Sequence, residues 1–430
     1  MERRKVSGLL QQLSLLIKNG FLHIFTGTFL NKAVTMISSV VIARLVDKDQ
    51  YAYLGYSDTI YGYLALFSGL GMASAILKVC AGKTERENDQ SYLGYAIKCG
   101  FFFELIVTGV IILIFSFVKI PFEQARHYIY VTGLYPTIYC IYDLLITYMR
   151  SKSYNKKYAY LNFIHSVLTC VFSISFVLMF DAVGLIYARY FVLVMLTIYL
   201  MRFTQKQFEG VPKTTLSVNQ KSAFWKMALT LVVANAFSGM MPYNESMLIS
   251  HIIAVEEISA NFKVANLFPQ MILLVSQAVN VYFFPIVAGM DNEGKSIKKI
   301  GIRVGIFNLA LVIICTAVGM LLTPVLLPLF YGEKYANAVE ISVYLWIMRG
   351  MNAGIRMVPM NMLIAIGKYK FNLIMSISTF LVQIILDWIF ISQYGVFGVV
   401  YGTVALYLIM GIIYWVEFIK ASEQRVQSIE

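Results

Sequence analysis

Twelve runs of predominantly apolar residues divide this chain, each near the length of about 20 residues that a helix needs to cross the hydrocarbon core of a bilayer. Their approximate limits are 20–43, 53–77, 92–117, 128–149, 158–180, 183–201, 224–250, 258–287, 300–323, 337–366, 371–392 and 396–419. The connections between them are short. Hydrophobic residues make up 59% of the 430 residues and charged residues only 13%, against about 25% charged in a soluble protein. So few charges cannot cover a soluble surface of this size. Lipid does solvate an apolar exterior, provided the backbone is satisfied within helices. The expected fold class is an all-α polytopic membrane protein with about 12 transmembrane helices. A soluble enzyme, a disordered chain and a secreted disulfide scaffold are excluded.

The net charge of +12 does not point to nucleic acid, because the basic residues sit in short hydrophilic breaks and not along one polar surface. With the N-terminus placed inside, the inside segments hold 24 Lys and Arg and the outside loops five. By the positive-inside rule this bias sets both termini in the cytoplasm. The basic N-terminal stretch lacks a compact apolar core with a small-residue cleavage site, so no cleaved signal peptide is expected. Cys80, Cys99, Cys140, Cys170 and Cys315 all lie in or beside apolar runs without C-x-x-C spacing. They read as small hydrophobes in helix packing, and no metal or cofactor is expected.

The chain also repeats. Runs five and six overlay eleven and twelve without a gap at an offset of 214, so that Lys156 meets Lys370, Phe176 meets Phe390, Gly184 meets Gly398 and Tyr187 meets Tyr401. The first pair overlays the seventh and eighth more weakly, near an offset of 207. Six runs per half is an even number, so the halves are expected as two parallel six-helix repeats, a transporter architecture with its site between them. The expected organisation is an N-terminal lobe over 1–201, a cytoplasmic linker over 202–223 and a C-terminal lobe over 224–430.

Charges inside a membrane are costly and usually face an interior cavity. Run eight carries Lys263, Asn266, Gln270, Gln277 and Asn280, spacings that place all five near one helical face. Run ten carries Arg349, Asn352 and Arg356 over two turns. Run one has Asn31 and Lys32, run two Asp58, and run seven Glu245 one turn after Pro242. Pro269 beside Gln270 marks a bend in run eight. Residues Gly289 to Ser296 match G-x-x-x-x-G-K-[ST], but a P-loop needs a preceding strand and a βα domain around it. None is expected here, so the match reads as chance. Four scattered histidines, no nucleophile elbow and loops too short for a catalytic domain argue that the chain is not an enzyme.

Ala43-Arg44-Leu45, a short acidic loop, Tyr51-Ala52-Tyr53-Leu54-Gly55-Tyr56 and a helix ending near Ser68-Gly69-Leu70-Gly71 together resemble the start of bacterial polysaccharide exporters. Those belong to the multidrug/oligosaccharidyl-lipid/polysaccharide (MOP) superfamily. Glu256 to Phe262 resembles the same family's repeated loop and helix start in its second half. The family often has Asp-Arg in span seven, where this chain has Glu245-Ser246. The resemblance implies two V-shaped, MATE-like lobes. It implies a flippase that carries an undecaprenyl-diphosphate-linked oligosaccharide from the inner to the outer leaflet of the bacterial plasma membrane. Coupling to sodium, protons or membrane potential is implied as well, as is association with glycosyltransferases or a polymerase of the same pathway.

A diphosphate crossing bare hydrocarbon would lose hydration worth on the order of tens of kcal/mol, so a cationic, hydrated cleft is expected. In this reading Lys32, Lys263, Arg349 and Arg356 hold the diphosphate, and Asn31, Asn266 and Gln270 contact sugar hydroxyls. Asp58 and Glu245 neutralise the cations in the empty carrier. Those four cations against two acids leave a net +2, which disfavours the main alternative, an ion-coupled multidrug antiporter of the same fold. A membrane glycan polymerase is the weaker alternative.

Overall fold

The structure is a computed structural model that describes residues 21–80, 86–152, 154–212, 214–292 and 297–427. No strand occurs among the described residues, so the all-α expectation holds. The helices are α1 (Phe21–Leu45), α2 (Lys48–Ala65), α3 (Met72–Val79), α4 (Arg86–Phe117), α5 (Ala125–Thr132), α6 (Tyr135–Ser151) and α7 (Asn155–Gln207). They continue as α8 (Val218–Ile252), α9 (Glu256–Ala265), α10 (Ile272–Asn292), α11 (Lys298–Tyr331), α12 (Ala338–Met351), α13 (Met357–Ala365), α14 (Tyr369–Tyr394) and α15 (Phe397–Gln427).

Among the described residues the twelve expected runs fall on helical segments, some of them broken by a turn. Among the described residues, seven helices are long and apolar enough to cross a membrane, or eight if the bent pair α5–α6 is one span. This is a multi-pass membrane protein. The expected runs that fail that test lie on α1, α8 and α12–α13. Of these, α12 and α13 are divided by the helical break at Asn352–Arg356. Several spans are broken. A 3-10 turn over Ser68–Gly71 separates α2 from α3, and another over Pro269–Met271 separates α9 from α10. A π-helical turn over Asn352–Arg356 joins α12 to α13.

The long helix α7 is in fact a hairpin. Phe180 and Asp181 leave helical geometry, with Asp181 at φ 51° and ψ −147°. Phe172 and Phe191, 19 residues apart, bring their ring centroids to 4.7 Å, where a straight helix would hold them about 28 Å apart at 1.5 Å per residue. The second repeat makes the same turn between α14 and α15. Gly395, at offset 214 from Asp181, has φ 60° and ψ −144°. The aromatic pairs repeat as well. Phe176–Phe180 at 6.1 Å matches Phe390–Tyr394 at 5.9 Å, and Phe180–Tyr187 at 5.7 Å matches Tyr394–Tyr401 at 5.6 Å. A Cβ built on Gly184 would overlap the carbonyl of Phe176, and one on Gly398 would overlap that of Phe390. Glycine is needed at both positions because the returning helix packs directly on the carbonyl of its partner.

The chain divides into two compact units, one of residues 1–50 and 60–235, the other of 51–59 and 236–430. In the first, α1 packs along α7. Its core joins α3, α4, α6 and α7 through residues such as Ile76, Leu93, Leu145 and Leu193, each nearly inaccessible. In the second, Ile272, Val312 and Ala353 bring α10, α11 and the π turn together. The π turn releases backbone carbonyls, which must find donors elsewhere. Ser276 Oγ and Asn308 Nδ2 donate to Ala353 O at 2.8 and 2.9 Å, and Trp415 Nε1 donates to Ile355 O at 3.1 Å.

Candidate functional site

A cavity of about 190 Å³ lies within the second unit, walled by the 52–59 stretch of α2, by α8 after Pro242, by α9 and by the break at Pro269. Lys263 projects into it. Its Nζ lies 3.2 Å from Asp58 Oδ2, and each side chain is 29% exposed. The same ammonium stands 4.5 Å from the centroid of the Tyr51 ring, a cation–π contact. Gly55 makes room for the lysine stem, since a Cβ there would meet Lys263 Cδ at 3.0 Å. The cation is thus held by a carboxylate and a ring face, but it remains open to the cavity.

Around this pair the lining is polar and aromatic. Gln270 is exposed and Ser246 partly so. His251 Nδ1 donates to Met247 O at 3.0 Å, and Tyr56 OH meets His251 Nε2 at 3.3 Å. A carbonyl can only accept, so Nδ1 carries a proton, and in the neutral ring Nε2 accepts from the tyrosine. The set offers one cation, one anion and several hydroxyl and amide groups, a surface suited to a charged, hydroxyl-rich ligand.

Arg349 does not face this cavity. Its side chain is 1% exposed and Glu245 is fully buried. The guanidinium holds the carboxylate from two nitrogens, Nη1 to Oε1 at 3.2 Å and Nη2 to Oε2 at 2.5 Å, while Nε donates to Asn266 Oδ1 at 3.1 Å. This fork geometry is the strong form of an Arg–carboxylate pair. Gln383 Nε2 adds a contact to Glu245 Oε1 at 3.4 Å. On the same face of α14, buried Asp387 accepts from Thr403 Oγ1 at 3.1 Å. Asn266 touches the cavity, but its oxygen is turned to Arg349.

Arg356 is also buried, 5% exposed. Its Nη1 donates to Asn352 Oδ1 at 3.1 Å, and the guanidinium lies over the rings of Tyr407 and Tyr414 at 5.7 and 6.0 Å. Like Arg349, it does not line the cavity. Asn31 and Lys32 belong to the first unit. Asn31 Oδ1 accepts from Ser166 Oγ, and Lys32 is exposed on α1.

The structure therefore gathers Lys263, Asp58, Asn266 and Gln270 at one cavity and puts Arg349 with Glu245 in a closed network. The expected single polar face of run eight does not hold. The 3-10 turn at Pro269 reorients α10, so that Gln277 is exposed while Asn280 is buried against Ser276 O. The net +2 reckoned for one cleft does not hold for this cavity either, because neither arginine reaches it and its lining has one lysine and one aspartate. Tyr51 and the Tyr56–His251 pair escaped sequence reasoning. The spacing of Tyr51, Gly55, Asp58 and Thr59 on one helical face was the signal for Tyr51. Residues Gly289–Asn292 of the P-loop match are helical, residues 293–296 lie outside the described residues, and no strand precedes them among the described residues.

A family model described as "Polysaccharide biosynthesis protein" matches residues 41–340. No curated protein sequence matches the chain. Among solved structures, the inward-facing conformation of a multidrug resistance MATE family transporter of the MOP superfamily is similar at a TM-score of 0.73 and 16% identity, covering 92% of this chain and 96% of that one. The outward-facing conformation of such a transporter gives 0.64 and 15%, covering 96% of each chain. A MATE structure in a bent conformation gives 0.63 and 15%, covering 95% of this chain and 96% of that one. The fold is that of the MATE transporters.

Proposed function

We propose, starting from the fact that this chain belongs to the polysaccharide biosynthesis protein family, that it is a flippase for a lipid-linked oligosaccharide. In this reading it works by alternating access between lobes over 1–201 and 224–430, joined by the linker 202–223. It sits in the bacterial plasma membrane with both termini in the cytoplasm. The substrate is an undecaprenyl-diphosphate-linked oligosaccharide destined for a cell-surface polysaccharide.

The observation that carries this reading is the half-buried Lys263–Asp58 pair opening onto a cavity with hydroxyl and amide groups around it. In the empty carrier Asp58 and the Tyr51 ring hold the ammonium. An arriving diphosphate takes Lys263 from Asp58, because a charge-assisted bond to phosphate replaces the one to carboxylate. Gln270 and Ser246 meet sugar hydroxyls, and the lipid tail stays in the bilayer. Arg349 and Arg356 act through the shape of the second lobe, with Glu245 compensating the buried Arg349. Export of negative charge from a negative interior gains about 2.3 kcal/mol per elementary charge at 100 mV, and a sodium ion or proton completes the coupling. Glycosyltransferases or a polymerase of the pathway stand on either side of the step.

A second reading, a multidrug antiporter, is favoured by the presence of Asp58 and tyrosines in the cavity, which would suit a lipophilic cation. Reconstitution separates the two. Purified protein in liposomes holding a fluorescent undecaprenyl-diphosphate oligosaccharide in one leaflet is treated with a membrane-impermeant reagent, with a lipophilic cationic dye run in parallel. Protein-dependent exposure of the sugar lipid without dye movement is the expected result. Ion-driven dye movement without sugar exposure overturns the flippase.

A further inference from the structure

The first unit holds a larger cavity, about 370 Å³, that the transport reading does not use. It is formed by the start of α4 and the stretch from Thr214 to Lys221 that leads into α8. Ser91, Gly94, Tyr95 and Lys98 are spaced by three, one and three, so they share one face of α4 and make one wall. The other wall is tied down. Ser91 Oγ lies 2.7 Å from both the carbonyl and the hydroxyl of Thr214, buried Leu216 anchors the stretch, and Ser217 and Gln220 cap α8 reciprocally at 2.8 and 3.3 Å.

Its chemistry is one-sided. Two lysines line it, Lys98 and Lys221, and no acidic residue does among the described residues. Lys221 Nζ stands 5.5 Å from the centroid of the Tyr95 ring, whose hydroxyl accepts from Trp225 Nε1 at 3.0 Å, so the ring that positions this cation is itself fixed. Lys98 is exposed in the cavity wall. Gln90 also belongs to the lining, with its Oε1 buried and without a hydrogen-bond partner among the described residues. Gly94 opens the space, since a Cβ placed there meets nothing within 4 Å.

We propose that this cavity binds a phosphate-bearing anion, with Lys98 and Lys221 on the phosphate and the hydroxyl of Thr215 at its edge. The charge bias puts this end of α4 at the cytoplasmic surface, where the anion is either the headgroup of an anionic lipid or a soluble phosphate compound. Binding braces the stretch between α7 and α8 against α4.

The test uses the full-length protein in neutral detergent at constant ionic strength, reading its thermal unfolding with dioctanoyl phosphatidylglycerol, dioctanoyl phosphatidylcholine or inorganic phosphate added. The expected result is a rise in Tm of about 3 °C or more with an anionic ligand and none with phosphatidylcholine. The rise is lost in Gly94→Leu, which fills the space, and in the Lys98→Gln/Lys221→Gln pair, which removes the charge. Both variants should unfold without ligand near the wild-type temperature, so a folding defect in one leaves the other to decide. A shift with phosphatidylglycerol alone assigns a lipid headgroup, and one with inorganic phosphate assigns a soluble anion. No shift with either anion, an equal shift with phosphatidylcholine, or an equal shift in both variants overturns the proposal.

Discussion

The hairpin inside α7 and the hairpin of α14 and α15 make the same turn with different contents. At offset 214 the backbone angles, the aromatic pairs and the glycine seated on a carbonyl all recur. The inward side chains do not. Gln383, Asp387 and Tyr407 of the second hairpin correspond to Thr169, Ser173 and Leu193 of the first. The charged network around Glu245 therefore belongs to the second unit alone, while packing geometry is common to both. The two hairpins share the geometry that holds them closed and differ in the side chains they bury.

The difference breaks most sharply at the buried ion pair. Arg349→Ala leaves Glu245 uncompensated at full burial and should cost about 3–5 kcal/mol, read as a large drop in Tm of the purified protein. Glu245→Leu combined with Arg349→Met should recover most of that loss, since a packed apolar pair needs no desolvation of charge. Ser173→Ala, at the place of Asp387 in the first hairpin, should stay within about 0.5–1 kcal/mol. The shared geometry gives the next largest effect. Gly184→Ala and Gly398→Ala should each cost about 1–3 kcal/mol, and by similar amounts, because both force a methyl into a backbone carbonyl. Unequal losses would show that the two turns are alike in backbone but not in strain. The smallest effect has opposite signs. Asp181 holds a positive φ that a side chain disfavours, where its counterpart is already glycine. Asp181→Gly should stabilise by about 1 kcal/mol and Gly395→Asp should destabilise by about 1–3 kcal/mol in the same unfolding assay.

Much of this architecture was legible because lipid imposes a length on every crossing and the 214-residue repeat imposes a register. Among the described residues the twelve apolar runs lie on helical segments, and the overlaid glycines and aromatics meet equivalent partners. The candidate site was read less completely. Spacing on an unbroken helix put Lys263 through Asn280 on one face, but Pro269 starts a 3-10 turn that rotates α10 relative to α9. Intramembrane charge marked Glu245 and Arg349 as notable without saying that each would meet the other, since their contact joins residues 104 apart in sequence. The π turn at Asn352–Arg356 depends on donors from α10, α11 and α15 and left no local trace. Tyr51 was overlooked because an aromatic in an apolar run looks like packing until a cation is placed over it.

The measurement that tests the central claim most directly is sugar-lipid exposure in liposomes with Lys263→Gln, normalised to the amount of protein inserted and accompanied by its Tm. Loss of a charge-assisted bond worth about 1.5–3 kcal/mol predicts a fall in exposure of about tenfold or more. The Tm should stay close to wild type, because the lysine is partly exposed and its loss leaves Asp58 open to the cavity. Exposure at the wild-type rate would contradict the assignment of this cavity to the diphosphate.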